Sequence, residues 1–368
     1  MSKVFPSIAA VLAAAAVASA QQPPIDNGRV TSQAVTTLEP AFTSLVESAG
    51  DVTWIGYAVP IVDGERTMCC FNSGGSVRGH VVSPDGACCG MCRLEPSAAA
   101  GAASKGTPSP AFTGPIKLEG PGHLVVLVRV ANRQVERVRA FSEGCALDAG
   151  GREVAWLTGV RPSESVALLQ SLVSPQAARR DRVTDGAISA IALHQDPAAD
   201  AALERLLATT QPSTVREKIP FWLGNARGAR GLALLQRVIR EDPSAEVRKK
   251  AVFGISQSRE ANALDVLIDN ARTHADGAVR SEAVFWLAQK AGEKAVGAIS
   301  ERIEQDPDTE VKKRAVFALS QLPADEGVPR LIQVARTHSN PAVKKQAMFW
   351  LGQSKDRRAL DFFAEILK

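Results

Sequence analysis

Six cysteines are the residues whose type and spacing first suggest chemistry: Cys69-Cys70, Cys88-Cys89, Cys92 and Cys145. Cys89-Gly90-Met91-Cys92 has the CxxC spacing of metal knuckles and dithiol centres, and with Cys69 and Cys70 it would offer four thiolates to zinc or an iron–sulfur cluster. A haem attachment needs His after the second Cys, where Arg93 stands, and a thioredoxin-like centre needs the CxxC to open a helix, whereas its neighbours here are glycine and turn residues. An even number of cysteines in an exported domain points first to disulfides, and several pairings stay open. The main expectation is therefore disulfides at all six cysteines and no metal, with the thiolate site of Cys69, Cys70, Cys89 and Cys92 as its rival. His80 and His123 are isolated. No GxSxG, GxxxxGK[ST], GxGxxG or HExxH occurs, so no enzyme class is indicated and no cofactor is expected.

Export is read from the N-terminus. "MSKVFPSIAAVLAAAAVASAQ" has Lys3, an apolar stretch and Ala18-Ser19-Ala20 before Gln21, the pattern of a secretory signal cut after Ala20. The expected location is exported, periplasmic or extracellular and bacterial, with no membrane insertion once the signal is removed.

The cysteines sit among strand-like runs. "DVTWIGYAVPIV" alternates as a strand does, "HLVVLVRVANRQVERVRAFS" reads as a hairpin turning at Ala131-Asn132, and "CALDAGGREVAWL" as another turning at Asp148-Ala149-Gly150-Gly151. Residues 96 to 115 form a low-complexity loop. "PSESVALLQSLV" reads as a helix leading onward.

Beyond it the chain repeats every 32 residues. Val215, Val247, Val279, Val311 and Val343 are each followed by a basic residue, then by Ile219, Ala251, Ala283, Ala315 and Ala347, then by Leu223, Ile255, Leu287, Leu319 and Leu351; Val183, Ala187 and Ile191 read as an older copy. A second ladder runs through Leu232, Leu264, Val296, Val328 and Leu360, then Leu235, Leu267, Ile299, Leu331 and Phe363, then Ile239, Ala271, Ile303, Ala335 and Leu367. Spacings of three and four residues place each set on one helix face, so each unit is a helical hairpin. Asp242-Pro243-Ser244, Asp276, Asp306-Pro307-Asp308 and Asn340-Pro341 mark helix starts. Stacked hairpins of this length must bury their apolar faces against one another, which gives an α-solenoid. A period of 64 overlies the short one, because "FWLGN", "FWLAQ" and "FWLGQ" alternate with "FGISQ" and "FALSQ".

"VRxxAxxxL" over residues 183 to 368 resembles HEAT repeats, in particular the compact kind of the bilin-lyase-like group. The resemblance implies that the Arg after each Val pairs with an acid near a helix start. It does not bring the iron site of deoxyhypusine hydroxylase, because His194, His274 and His338 are followed by Gln, Ala and Ser in place of Glu. The expected fold is α+β and multidomain: signal peptide 1–20, linker 21–29, a β-rich Cys domain 30–175, and a HEAT-like α-solenoid 176–368 of six hairpins.

Phe221, Phe253, Phe285, Phe317 and Phe349 fall off the core stripe of their helices, among Lys249, Lys313 and Lys345. They either fill grooves between repeats or form a strip that holds a partner. Aromatic anchors are enriched in interfaces. The formal net charge of only +4, with acids throughout the array, argues against nucleic acid. The function expected is an exported scaffold binding a protein or peptide, the alternative being thiol- or metal-dependent activity in the Cys domain.

Overall fold

In a computed structural model of the protein, residues 22–63, 92–95, 122–143, 147–290 and 293–367 are described. The expected signal peptide, the loop 96–115 and Cys69, Cys70, Cys88, Cys89 and Cys145 lie outside them, and Cys92 is placed only by its backbone.

The N-terminal half is one sheet in the order β1-β6-β2-β4-β5, where β1 is Ile25–Ala34, β2 Thr53–Pro60, β4 His123–Ala131, β5 Gln134–Ser142 and β6 Leu147–Thr158. A short β3, Cys92–Arg93, pairs with the first residues of β6. The β4–β5 hairpin turns at Asn132-Arg133, one residue later than read, with φ of 52° and 61° at the two central residues. Two positive φ values in a two-residue turn match the right-handed twist of the flanking strands. Two expectations fail. Residues 21–29 are not a linker, since β1 starts at Ile25. "CALDAGGREVAWL" is not a hairpin: Leu147–Thr158 is one strand, parallel to β1 and β2, and Gly150 and Gly151 (φ 61° and 81°) absorb a bulge opposite Asp26 and Gly28. Glycine reads as a turn signal in sequence, but its tolerance of positive φ serves a bulge equally well.

Alternation along the strands gives the sheet two apolar faces. Trp54, Val125, Leu127, Phe141, Val154 and Trp156 share one face with Leu94. Ile55, Tyr57, Val59, Val126 and Val128 share the other with Leu38 and Phe42 of α1 (Leu38–Ser48), Val166 and Leu169 of α2 (Pro162–Ser171), and Ala187 and Ile191 of α3 (Arg182–Leu193). This second core runs on without interruption into the repeats.

Six hairpins follow in the described residues: α3 with α4 (Pro197–Leu206), α5 and α6 (Ser213–Arg216, Pro220–Ala226) with α7 (Gly228–Glu241), α8 (Ala245–Gln257) with α9 (Ala263–Thr273), α10 (Gly277–Lys290) with α11 (Glu293–Gln305), α12 (Thr309–Ser320) with α13 (Ala324–Thr337), and α14 (Pro341–Gln353) with α15 (Arg357–Ile366). Val215, Val247, Val279, Val311 and Val343 are all buried, as are the Ala and Leu rungs that follow them. The second hairpin departs from the pattern because Pro220 has no N–H to give and splits its first helix in two. The last departs too. Leu360 and Leu367 are exposed, whereas Leu232, Val296 and Val328 and then Ile239, Ala271, Ile303 and Ala335 at the same positions of earlier second helices are buried; Ala359 and Phe362 carry the burial in α15.

First helices pack closely on one another along the array, α6 on α8, α8 on α10, α10 on α12 and α12 on α14, whereas second helices touch their neighbours sparsely. The closer layer of a stacked array lies inside its curve, so the Val-bearing helices line the concave side. Gly224 and Gly254 set the tightest approach: a Cβ on Gly224 would stand 1.8 Å from the Gly254 carbonyl oxygen.

Candidate functional site

Each first helix divides into two sides. With the Val at zero on a helical wheel, the Val, Ala, Leu and Trp rungs cover one side, while the positions two, three, six and ten residues after the Val fall between about 200° and 300° and face outward. The sixth position is Phe in the five hairpins after the first, and Ser189 in α3.

The rings form a continuous ladder across the repeats. Phe221 stacks on Phe253 (centroids 5.9 Å apart, planes at 17°), Phe253 meets Trp286 at 4.6 Å, Phe285 stacks on Phe317 (6.1 Å, 2°), and Phe317 meets Trp350 at 4.9 Å. Phe285 and Phe349 stand edge-on to Trp286 and Trp350 within their own helices. The 64-residue period thus has a physical basis. Each Phe-Gly or Phe-Ala repeat lays its ring between the Phe of the repeat before and the Trp of the repeat after, and Gly254 and Ala318 leave room where a second Trp would collide. Such pairs add about 0.5–1.5 kcal/mol beyond the area they bury.

The ladder is both of the things expected as alternatives. Its rings fill the seams between repeats, yet Phe221, Phe253, Phe285 and Phe317 remain part-exposed and Phe349 is 54% exposed. Arg314 lies over Phe285 and Phe317, 4.6 and 5.1 Å from the centroids, a cation–π contact that places positive charge at the middle of the strip. Lys249 and Lys313 sit at its rim, each paired with an acid one turn earlier, Glu246 and Glu310. Lys345 is exposed and has no ion-pair partner among the described residues.

The opposite flank holds the repeats in register. Arg216 grips Asp242 with two hydrogen bonds of 2.8 and 2.9 Å, and Arg280 grips Asp306 with the same pair of lengths, all four side chains being buried. Arg248 binds Asp276 in the repeat between. Burial alone would push the Asp306 carboxyl up; the Arg280 hydrogen bonds, the Asp308 N–H and the charges of Arg280 and Arg302 outweigh it and hold the carboxyl below its usual range. Asp276 is likewise held low, chiefly by Arg248. The ladder ends where Lys312 replaces Arg, its ammonium donating to the Ile303 and Glu304 carbonyls.

Histidine has a structural use here. His338 Nδ1 accepts the Asn340 N–H at 3.0 Å while Nε2 faces the Ile303 carbonyl at 3.0 Å, so the proton is on Nε2; His274 repeats this with Asp276 and Ile239. His194 is fully buried at the joint between sheet and repeats. Its Nδ1 donates to the Ala190 carbonyl at 2.7 Å, which leaves Nε2 to accept from Ser165 Oγ at 2.8 Å, and Ser165 in turn stands 2.8 Å from the Tyr57 hydroxyl. Burial pushes the His194 pKa down to about 4 and the Tyr57 pKa up. Two hydroxyls and an imidazole in a row resemble a catalytic relay, but no atom of this one reaches solvent. It ties β2, α2 and α3 together. Sequence reading missed it, because Tyr57, Ser165 and His194 lie far apart in the chain and only the fold joins them.

Among the described residues no group of three His, Cys, Asp or Glu is arranged to hold a metal, and no helix is long and apolar enough to cross a membrane. The cysteine expectations fall outside the described residues.

Residues 296–368 match the family model for HEAT repeats. No curated protein matches the chain. Among solved structures, human deoxyhypusine hydroxylase in complex with glycerol is similar at 15% identity over 55% of this chain and 90% of that one, with a TM-score of 0.28. The CpcE–CpcF complex of phycocyanin lyase from Nostoc sp. PCC7120 is similar at 24% identity over 42% and 99%, with a TM-score of 0.33. YibA of E. coli is similar at 24% identity over 46% and 64%, also with a TM-score of 0.33. These likenesses assign no role to any residue here.

Proposed function

We propose that this chain, which ends in HEAT repeats, is a non-enzymatic scaffold that binds a protein or peptide on the concave side of its solenoid. The carrying observation is the ring ladder from Phe221 to Phe349, stacked well enough to be rigid and open enough to be touched. A rigid apolar strip loses little conformational entropy on binding, and a buried aromatic surface is where interface energy concentrates. The array offers long surfaces rather than deep pockets, which favours recognition over catalysis. Lys3 with the apolar stretch after it and Ala18-Ser19-Ala20 support export, and N-terminal sequencing of the mature chain, expected to begin at Gln21, tests that.

Selection of a random peptide library on the full chain tests the binding surface. Selected peptides should bind wild type and lose about tenfold or more in affinity on a folded Phe285→Ser/Phe349→Ser chain. Peptides that bind both chains equally would move the site elsewhere.

A further inference from the structure

The sixth hairpin has an apolar face, separate from the ring strip, that the earlier hairpins keep covered. In α15, Leu360 is 62% exposed and Leu367 83%. Phe363 is part-exposed where Leu235, Leu267, Ile299 and Leu331 are buried, and in α14 Met348 is part-exposed where Val252, Val284 and Val316 are fully buried. The hairpin itself is seated normally, since Ala359 and Phe362 are buried as Ala295 and Ala298 are at the same positions of α11. Packing of α15 on α13 and α14 thus follows the usual pattern, and the open side chains are those that a further stacked hairpin covers elsewhere in the array. No described hairpin stacks beyond α15.

The face matches a second copy of itself. Leu360, Ala364 and Leu367 are four and three residues apart and form one stripe on α15, with Ala364 exposed between the two leucines. The charges of this helix run against its dipole: Arg357 and Arg358 stand at its start and Glu365 near its end, with no acid in the first turn and no base in the last. A helix alone favours the opposite order. An antiparallel copy corrects it, because the basic start of each helix then faces the acidic end of the other. The same arrangement sets Leu360 of each against Ala364 of the other, a large side chain over a small one. Arg357 is available for it, being 91% exposed, with its own Asp361 as far off as 4.0 Å.

Head-to-tail stacking of copies is blocked at the other end of the array. The outward side of α3 is taken by the sheet, so closely that a Cβ on Gly186 would stand 2.1 Å from the Val138 carbonyl oxygen, and α2 packs on both α3 and α4. Identical faces related by a two-fold axis remain, and such a pair closes on itself.

We infer that two copies of this chain pair through their sixth hairpins about a two-fold axis, α15 antiparallel to α15, with Leu360, Ala364 and Leu367 at the seam. The ring strips stay open, because α15 belongs to the other layer of helices.

Sedimentation equilibrium of the full chain tests this. The expected mass is that of two chains, and Leu360→Glu/Leu367→Glu should weaken the dimer about a hundredfold or more while leaving the circular dichroism unchanged, both side chains being exposed in the single chain. Ala364→Arg, a bulky charge at the centre of the seam, should do the same. Gln289→Glu/Gln321→Glu, which adds equal charge on the concave side, should leave the dimer intact. A single-chain mass at every concentration would overturn the inference, as would a dimer that the α15 variants leave as tight as wild type. A series of ever larger species would overturn the two-fold geometry, and loss of the dimer in the concave-side control would overturn the choice of face.

Discussion

The two sides of the Val-bearing helices carry equally regular patterns for different reasons. On the packed side, Val, Ala, Leu and the Arg–Asp pairs recur because every hairpin must bury the same stripe and meet its neighbour at the same height. On the concave side, nothing in the packing fixes an amide ten residues after each Val. Neighbouring outward positions have drifted, from Glu217 to Lys249, Ser281, Lys313 and Lys345, while the amide stays Asn or Gln in five repeats and the Phe does not change at all. Periodicity that folding demands reports the fold, and periodicity that folding does not demand points to what the surface touches.

This contrast breaks most sharply at the buried pair. Arg280→Ala leaves Asp306 charged, buried and unpaired, and should cost roughly 3–5 kcal/mol in urea unfolding. A loss under about 1 kcal/mol would show that the ladder is ornamental.

The joint between sheet and repeats gives the next largest effect, and it depends on pH. His194 titrates near 4 when folded and near 6.5 when unfolded, so the unfolded chain binds the extra proton. Its contribution is complete above about pH 6.5, fades as pH falls toward 4, and amounts to about 3 kcal/mol. Urea unfolding across that range should show the slope in wild type and a shallower one in His194→Gln; equal slopes would assign the acid sensitivity to the paired carboxylates.

Gly254→Ala is expected to cost about 1–3 kcal/mol, since its Cβ would stand 2.4 Å from the Pro220 carbonyl oxygen and α6 and α8 must part to admit it. Calorimetry checks this. At the low end, Gln289→Ala and Gln353→Ala should each alter stability by less than about 0.5 kcal/mol, because neither side chain bonds to a described residue. A larger loss would mean that the amides hold the array together after all.

How much of this was legible in the sequence follows the same division. The repeats announced their core, their Arg–Asp pairs and their rings, because each position was written five times over. The stacking of Phe253 between Phe221 and Trp286 was not visible, since it depends on how far apart the helices sit. The amide ladder stood in plain view in "FWLGN" and "FGISQ" and carried no meaning until the concave face was known. In the sheet every residue is written once. Thus α1 went unread, Gly150-Gly151 passed for a turn, and Tyr57, Ser165 and His194 came together only through the fold.

The most direct measurement takes one chain and two readouts: melting temperature and affinity for library-selected peptides, in wild type and Phe285→Ser/Phe349→Ser. The account predicts that the variant still folds cooperatively, with its melting temperature lowered by only a few degrees, and that its peptide binding is lost. A variant that unfolds, or one that folds and binds as wild type does, would make the ring ladder an internal seam and contradict the claim that the concave face is the binding surface.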